Sequence, residues 1–285
     1  MRVAASRNPA LAAAQLLRQQ YQELSTTLAA LRSRTSSTRV HDARVAARRL
    51  RTTLSALAPE MPRAAQRRLK RDLKSLANEL GAARDAEIRA GLVVPLVLDH
   101  KRIAVRSERA ALRALQAAAR DERARLRRIL RSAAFERRQS QMDLRAAALL
   151  GRLPAQLPAE LLLHTDLRRR WSKLRRALKR KPRSYRQLHA LRLRVKKCRY
   201  LLDSAPGPGS QMAGRWLRRL QDRLGQLHDV VQTRMWLRER RAKLHGGTHL
   251  RRALRQQAKT LRAKLRRQLR AVPRKVRTAL AEGES

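Results

Sequence analysis

The sequence predicts an all-α protein, on three observations. Ala, Leu, Arg, Gln and Glu dominate its 285 residues, and all are good helix formers. Apolar residues recur at three- and four-residue spacing, between punctuating glycines and prolines. Sustained two-residue alternation of β-branched residues is absent.

The elements follow in order. A first helix opens with Asn8 as cap and Pro9 at its first position and runs to about Leu31. Arg32 to Thr38 is a polar loop, and a second helix covers Arg39 to Ala58, stopped by Pro59 and Pro62. A third is expected from Arg63 to Leu80, ended by Gly81, and a fourth, capped by Asp85, reaches about Leu92 before Pro95. A long basic helix spans roughly His100 to Ala134. Gly151, Pro154 and Pro158 then mark a boundary, which divides the chain into residues 1–150, a linker 151–160 and residues 161–285. In the second half, helices are expected from Leu161 to Lys179, Arg186 to Ser204, Met212 to Leu224, Asp229 to Lys243 and Thr248 to Arg270. Ala205 to Gly209 (APGPG) breaks the second of these, and the EGES tail frays.

Charge narrows the function. Lys and Arg number 70 against 21 Asp and Glu, a net charge of +49. Such a field demands a polyanionic partner: nucleic acid, an anionic membrane or a phosphate polymer. Arginine supplies 58 of the 70 cations, and its planar fork suits phosphate oxygens. The 43% hydrophobic content provides a core that a disordered basic tail lacks. One cysteine excludes a disulfide framework and a multi-cysteine zinc site. Three Trp, three Tyr and one Phe are too few for modules that stack bases on aromatic rings. No apolar run approaches the length of a membrane span. The Ala-rich start reads as the first helix, not a signal peptide.

The halves repeat each other. His41, Arg44, Arg48, Arg49, Leu50 and Arg51 align with His189, Arg192, Lys196, Lys197, Cys198 and Arg199 at an offset of 148 residues. Leu80-Gly81 and Arg84-Asp85 align with Leu224-Gly225 and His228-Asp229 at an offset of 144. The order and offset read as a tandem duplication of a four-helix unit. Within the first match, Val40, Ala43, Ala47, Leu50, Leu54 and Leu57 form one apolar stripe; Leu188, Leu191, Val195, Cys198 and Leu202 form its equivalent. His41, Arg44, Arg48 and Arg51 follow the same spacing one residue on and fall within about 80° of arc. His189, Arg192, Lys196 and Arg199 do likewise. Solvated helices interleave carboxylates with such a row. Here His41 to Leu57 holds only Asp42, and His189 to Leu202 holds none. The repulsion is relieved when an anion binds.

The pattern HxxRxxxRRxR, its HxxRxxxKKxRY partner and the two LGxx(R/H)D turns resemble the CHAD domain family, over about Ala10 to Arg270. The resemblance implies two four-helix bundles related by pseudo-two-fold symmetry. It also implies a basic surface between them that binds inorganic polyphosphate and targets such proteins to polyphosphate granules, here in the cytoplasm. Many relatives carry a triphosphate-tunnel catalytic domain; the chain resembles the stand-alone form. The expected contact set is His41, Arg44, Arg48, Arg49, Arg51, Lys74, Arg84, His189, Arg192, Lys196, Lys197, Arg199 and Arg218.

Each sharp reading has a plain rival. His41 and His189 either donate to phosphate or bond a backbone group near a helix start. His41-Asp42 and His228-Asp229 invite a metal-phosphohydrolase site, but their counterparts are His189-Ala190 and Arg84-Asp85, so no matched ligand set exists. Asp85 and Asp229 read as helix caps that also orient a neighbouring arginine. Cys198, Trp171, Trp216 and Trp236 read as packing, and Tyr200 as packing or a neighbour of the row. Arg168 to Arg170 and Arg238, Arg240 and Arg241 widen the electrostatic footprint. No paired carboxylates, Gly-rich phosphate loop or nucleophile–base pair supports catalysis. The expectation is a non-enzymatic polyphosphate-binding protein that needs no cofactor. Non-specific nucleic-acid binding or packaging is the alternative.

Overall fold

The computed structural model describes residues 13–98, 106–154, 157–180, 182, 184–204, 210–240 and 248–270. Every element among them is helical, apart from connecting turns: α1 (Ala13–Ser33), α2 (Ser37–Ala56), a 3-10 turn (Ala58–Glu60), α3 (Arg63–Leu98), α4 (Arg106–Leu130), α5 (Ala133–Leu150), α6 (Ala159–Lys179), α7 (Tyr185–Ser204), α8 (Ser210–Glu239) and α9 (Thr248–Arg270). The Asn8–Pro9 start, the His100 start, the APGPG break, Arg241 and the acidic tail lie outside the described residues.

Local chemistry sets several helix starts. The Ser36 side chain accepts from the Arg39 amide and caps α2. Ser132 does the same for α5 through Phe135, which ends the long basic helix at Leu130 and opens a further helix. At α7, Ser184 and Gln187 exchange side-chain and backbone bonds at 3.2 and 3.1 Å, a reciprocal capping box.

Two expected helix ends are corrected. Gly81 does not end a helix: α3 runs unbroken for 36 residues through Gly81 and Pro95. Gly225 likewise lies inside α8, a 30-residue helix. Asp85 and Asp229 are therefore mid-helix residues, not caps. Glycine costs a helix interior only about 1 kcal/mol relative to alanine. Buried Leu73, Leu76, Leu80 and Ala83 around Gly81, and Leu220, Leu224, Leu227 and Val230 around Gly225, outweigh that cost.

α1 packs on α2, α2 on α3 and α3 on α4; then α6 packs on α7, α7 on α8 and α8 on α9. α5 links the two series and lies against α3 and α1. Between the series, α2 meets α7 and α3 meets α8. Both expected stripes are buried: no residue of either exceeds 7% exposure. They belong to one contiguous apolar cluster that extends from Ala13 on α1 to Leu265 on α9. Because each stripe faces inward beside its row, the contact of α2 with α7 brings the two cationic rows together.

Candidate functional site

On α2, Arg44 turns towards α3. Its Nη1 donates to the Leu80 carbonyl at 3.4 Å and lies 3.6 Å from Asp85 Oδ1. Gly81 adjoins this contact. A Cβ at position 81 would lie 3.3 Å from the same Nη1, so the glycine of the first LG motif leaves room for the arginine of the first row. Arg84, one turn on, donates to Ser37 Oγ at 2.8 Å and lies 3.5 Å from Glu87.

Arg48 crosses to the other half. Its Nη1 donates to the Tyr200 hydroxyl on α7. The buried Tyr200 ring carries two guanidinium groups, Arg48 at 5.3 Å from its centroid and Arg199 at 4.6 Å. Arg199 is held by Gln221 at 2.9 Å and Asp203 at 3.1 Å, and Arg218 lies 3.9 Å from the same carboxylate.

Arg192 and Lys196 stand opposite Arg48 and Arg44. Burial, followed by the charges of Arg48, Arg192 and Arg44, drives the Lys196 ammonium down to about 6. Burial also lowers Arg192, with Arg48 among the opposing charges, and its Nε is buried without a hydrogen-bond partner. Among the described residues, no carboxylate lies within ion-pair distance of Arg48, Arg192 or Lys196. Asp229 is near enough to favour both α7 cations. Its own carboxyl is raised, mainly by burial and partly by Asp85.

Beside this cluster lies a small ring stack. The His189 and His228 centroids are 5.0 Å apart, and Tyr185 lies parallel to His228 at 6.2 Å. The Tyr185 hydroxyl is 2.7 Å from His228 Nδ1 and accepts from Gln232 at 3.0 Å. Burial, with Arg192 next, pushes His228 down to about 4. His189 is lowered by burial, Arg192 and Lys196, and its Nδ1 is buried and unpartnered. His41 is exposed on α2 and lowered by burial of its ring atoms and by Arg84. All three histidines therefore favour the neutral form until negative charge arrives.

The expected residues do not all gather here. Arg44, Arg48, Arg192 and Lys196 converge; His41, Arg51, Arg84, His189 and Arg199 flank them, and Arg218 adjoins Arg199. Arg51 is lowered by burial and by Arg48. Arg49 turns to α1 and pairs with Glu23 at 2.9 Å. Lys197 points to the α6 side, where burial and then Arg170 lower it, while Asp166 favours its charge. Lys74 is exposed on α3, one turn beyond Lys70. The residue after a row member is rotated about 100° away, which separates Arg49 and Lys197 from Arg48 and Lys196.

Sequence reasoning missed Tyr185, His228, Gln221 and Asp203 as neighbours of the rows. Asp203 stands four residues after Arg199 and Tyr185 four before His189 on α7, so helical spacing was the signal for both; His228 and Gln221 reach the row from α8, which no spacing within α7 announces. Cys198 is fully buried, and its thiol is pushed up to about 12 by burial. Trp171 and Trp216 are buried, while Trp236 is half-buried under Arg240 at 4.3 Å. The arrangement presents forked and pointed donors to an anion. Among the described residues no group of three or more His, Cys, Asp or Glu is placed to hold a metal ion, and no helix is long and apolar enough to cross a membrane.

The fold has counterparts in known proteins. The crystal structure of the CHAD domain from the plant Ricinus communis superposes with a TM-score of 0.69 at 20% identity, covering 99% of this chain and 96% of that one. PptA from Streptomyces chartreusis superposes with a TM-score of 0.69 at 18% identity, covering 95% of this chain and 97% of that one. No curated protein matches the sequence. The family model of the CHAD domain matches residues 15–238, a stretch that holds both rows and both LG motifs, and the chain belongs to the CHAD domain family.

Proposed function

We propose that this protein binds inorganic polyphosphate along the facing rows of α2 and α7, does not turn it over, and is drawn by it to polyphosphate granules. One observation carries the reading: Arg48, Arg192 and Lys196 come together from α2 and α7 with no carboxylate among the described residues in ion-pair distance of any of them. Like charges held in half-buried positions oppose folding, and the Lys196 ammonium is largely suppressed at neutral pH. A phosphate chain reverses each of these costs. It repeats negative charge along a thread, so arginine forks can engage successive units and release counterions. Membership of the CHAD family supports the same ligand.

Shape supports polyphosphate over duplex DNA. The cations concentrate where two packed helices meet, a place a thread can follow and a wide cylinder cannot. Nucleic-acid packaging predicts instead that the broad outer basic faces carry the affinity. The deciding experiment is a competition titration at physiological salt, with labelled long-chain polyphosphate displaced by pyrophosphate, single-stranded DNA or duplex DNA. The expected result is weak displacement by duplex DNA. Displacement by duplex at equal or lower concentration than by unlabelled polyphosphate overturns the reading.

A further inference from the structure

We propose a second phosphate-chain site in the groove between α6 and α7, on the side of α7 turned away from the row. The groove holds about 590 Å3. Lys173, Arg176 and Arg180 line one wall, and Arg186 and Arg194 the other. All five are exposed, and none forms an ion pair with a carboxylate among the described residues. The nearby acid, Asp166, is occupied by Arg169 at 2.7 Å and Arg170 at 2.6 Å. Ala177 and Leu191 supply an apolar floor.

The spacing favours an extended ligand. Lys173, Arg176 and Arg180 lie at i, i+3 and i+7 on one face, over about 10 Å of helix axis; Arg186 and Arg194 span about 12 Å. Two parallel lines of donors above an apolar floor fit a thread whose charges recur along its length. Fork geometry favours phosphate oxygens over an ammonium-type point contact.

Lys197 follows Arg194 at i+3 on α7 and is exposed beside the groove. The repeat does not imply this groove. At the offset of 148, Arg194 corresponds to Ala46 and Arg186 to Thr38. Arg49, the counterpart of Lys197, is paired with Glu23. The groove does not rest on the reading of the two rows.

The test is calorimetric titration of the full chain with tripolyphosphate and with long polyphosphate. Wild type is expected to bind two tripolyphosphates, and Arg176→Gln/Arg180→Gln/Arg194→Gln to bind one, with an unchanged melting temperature. For long chains, the slope of log affinity against log salt falls by about 2 in that variant, about 0.7 per lost phosphate contact. Lys173→Gln/Arg180→Gln/Arg186→Gln repeats the test on the same walls. A row variant, Arg48→Gln/Lys196→Gln, keeps the groove stoichiometry. Groove variants that retain both the stoichiometry and the salt slope overturn the proposal, as does poly-glutamate binding the groove as tightly as tripolyphosphate. Loss of one site in the groove variants, with an unaffected row variant, upholds the groove and overturns the reading of the rows.

Discussion

Arg48 on α2 and Tyr200 on α7 are 152 residues apart, yet the guanidinium donates to the phenolic hydroxyl and lies 5.3 Å from the ring centroid. The contact bridges the two halves and aims a cation without neutralising it. Tyr200→Phe removes the acceptor and keeps the ring that Arg199 covers. Polyphosphate affinity is expected to fall about tenfold or more, about 1.5–3 kcal/mol for one hydrogen bond to a charged group, while the melting temperature moves little. Titration beside a thermal melt checks this; unchanged affinity would show that the hydroxyl does not position Arg48.

Gly81 and Gly225 occupy equivalent helical positions with different surroundings. A Cβ at Gly225 meets nothing within 4 Å, whereas one at Gly81 lies 3.3 Å from Arg44 Nη1. Gly225→Ala is expected to stabilise the fold by about 0.5–1 kcal/mol and leave binding unchanged. Gly81→Ala gains less, because the Arg44 guanidinium must shift, and it weakens polyphosphate binding. Chemical denaturation and titration of both variants read the difference.

Lys196 couples binding to protons. Its folded value of about 6 lies below the ordinary 10.5. The unfolded chain therefore holds one more proton between pH 6 and 10.5, and the ligand-free fold gains stability as pH rises through that window. A neighbouring phosphate restores the ammonium, so binding takes up a proton. Calorimetry at pH 8 in two buffers of different ionisation heat is expected to show this uptake. Lys196→Met abolishes it and weakens binding, yet raises the melting temperature by about 2–4 °C for each kcal/mol of desolvation relieved. A lower melting temperature in that variant would count against the buried, suppressed charge.

The rows differ from the rest of the basic surface. Neutralising Arg48 and Lys196 together is expected to cost far more polyphosphate affinity than neutralising Arg262 and Arg266 on α9. Equal losses would make the interaction diffuse.

Two linked rows also predict a dependence on ligand length. Joint engagement turns the second contact into an intramolecular one, so affinity rises steeply with chain length and then levels off. Triphosphate binding as tightly as long chains would assign the affinity to a small-phosphate site.

By itself the sequence determined the helical class, the two buried stripes and the row of cations beside each, because all three depend on residue spacing along a single helix. The helical spacing also contained the separation of Arg49 from Arg48 and of Lys197 from Lys196. Tertiary structure alone decided that α3 and α8 continue through Gly81 and Gly225, since the apolar contacts that outweigh the glycine cost come from other helices. It also decided that Tyr200 receives Arg48 and that Tyr185 meets His228 across 43 residues. Those pairings follow from how helices pack on one another, and packing brings together side chains that no periodicity within one helix relates.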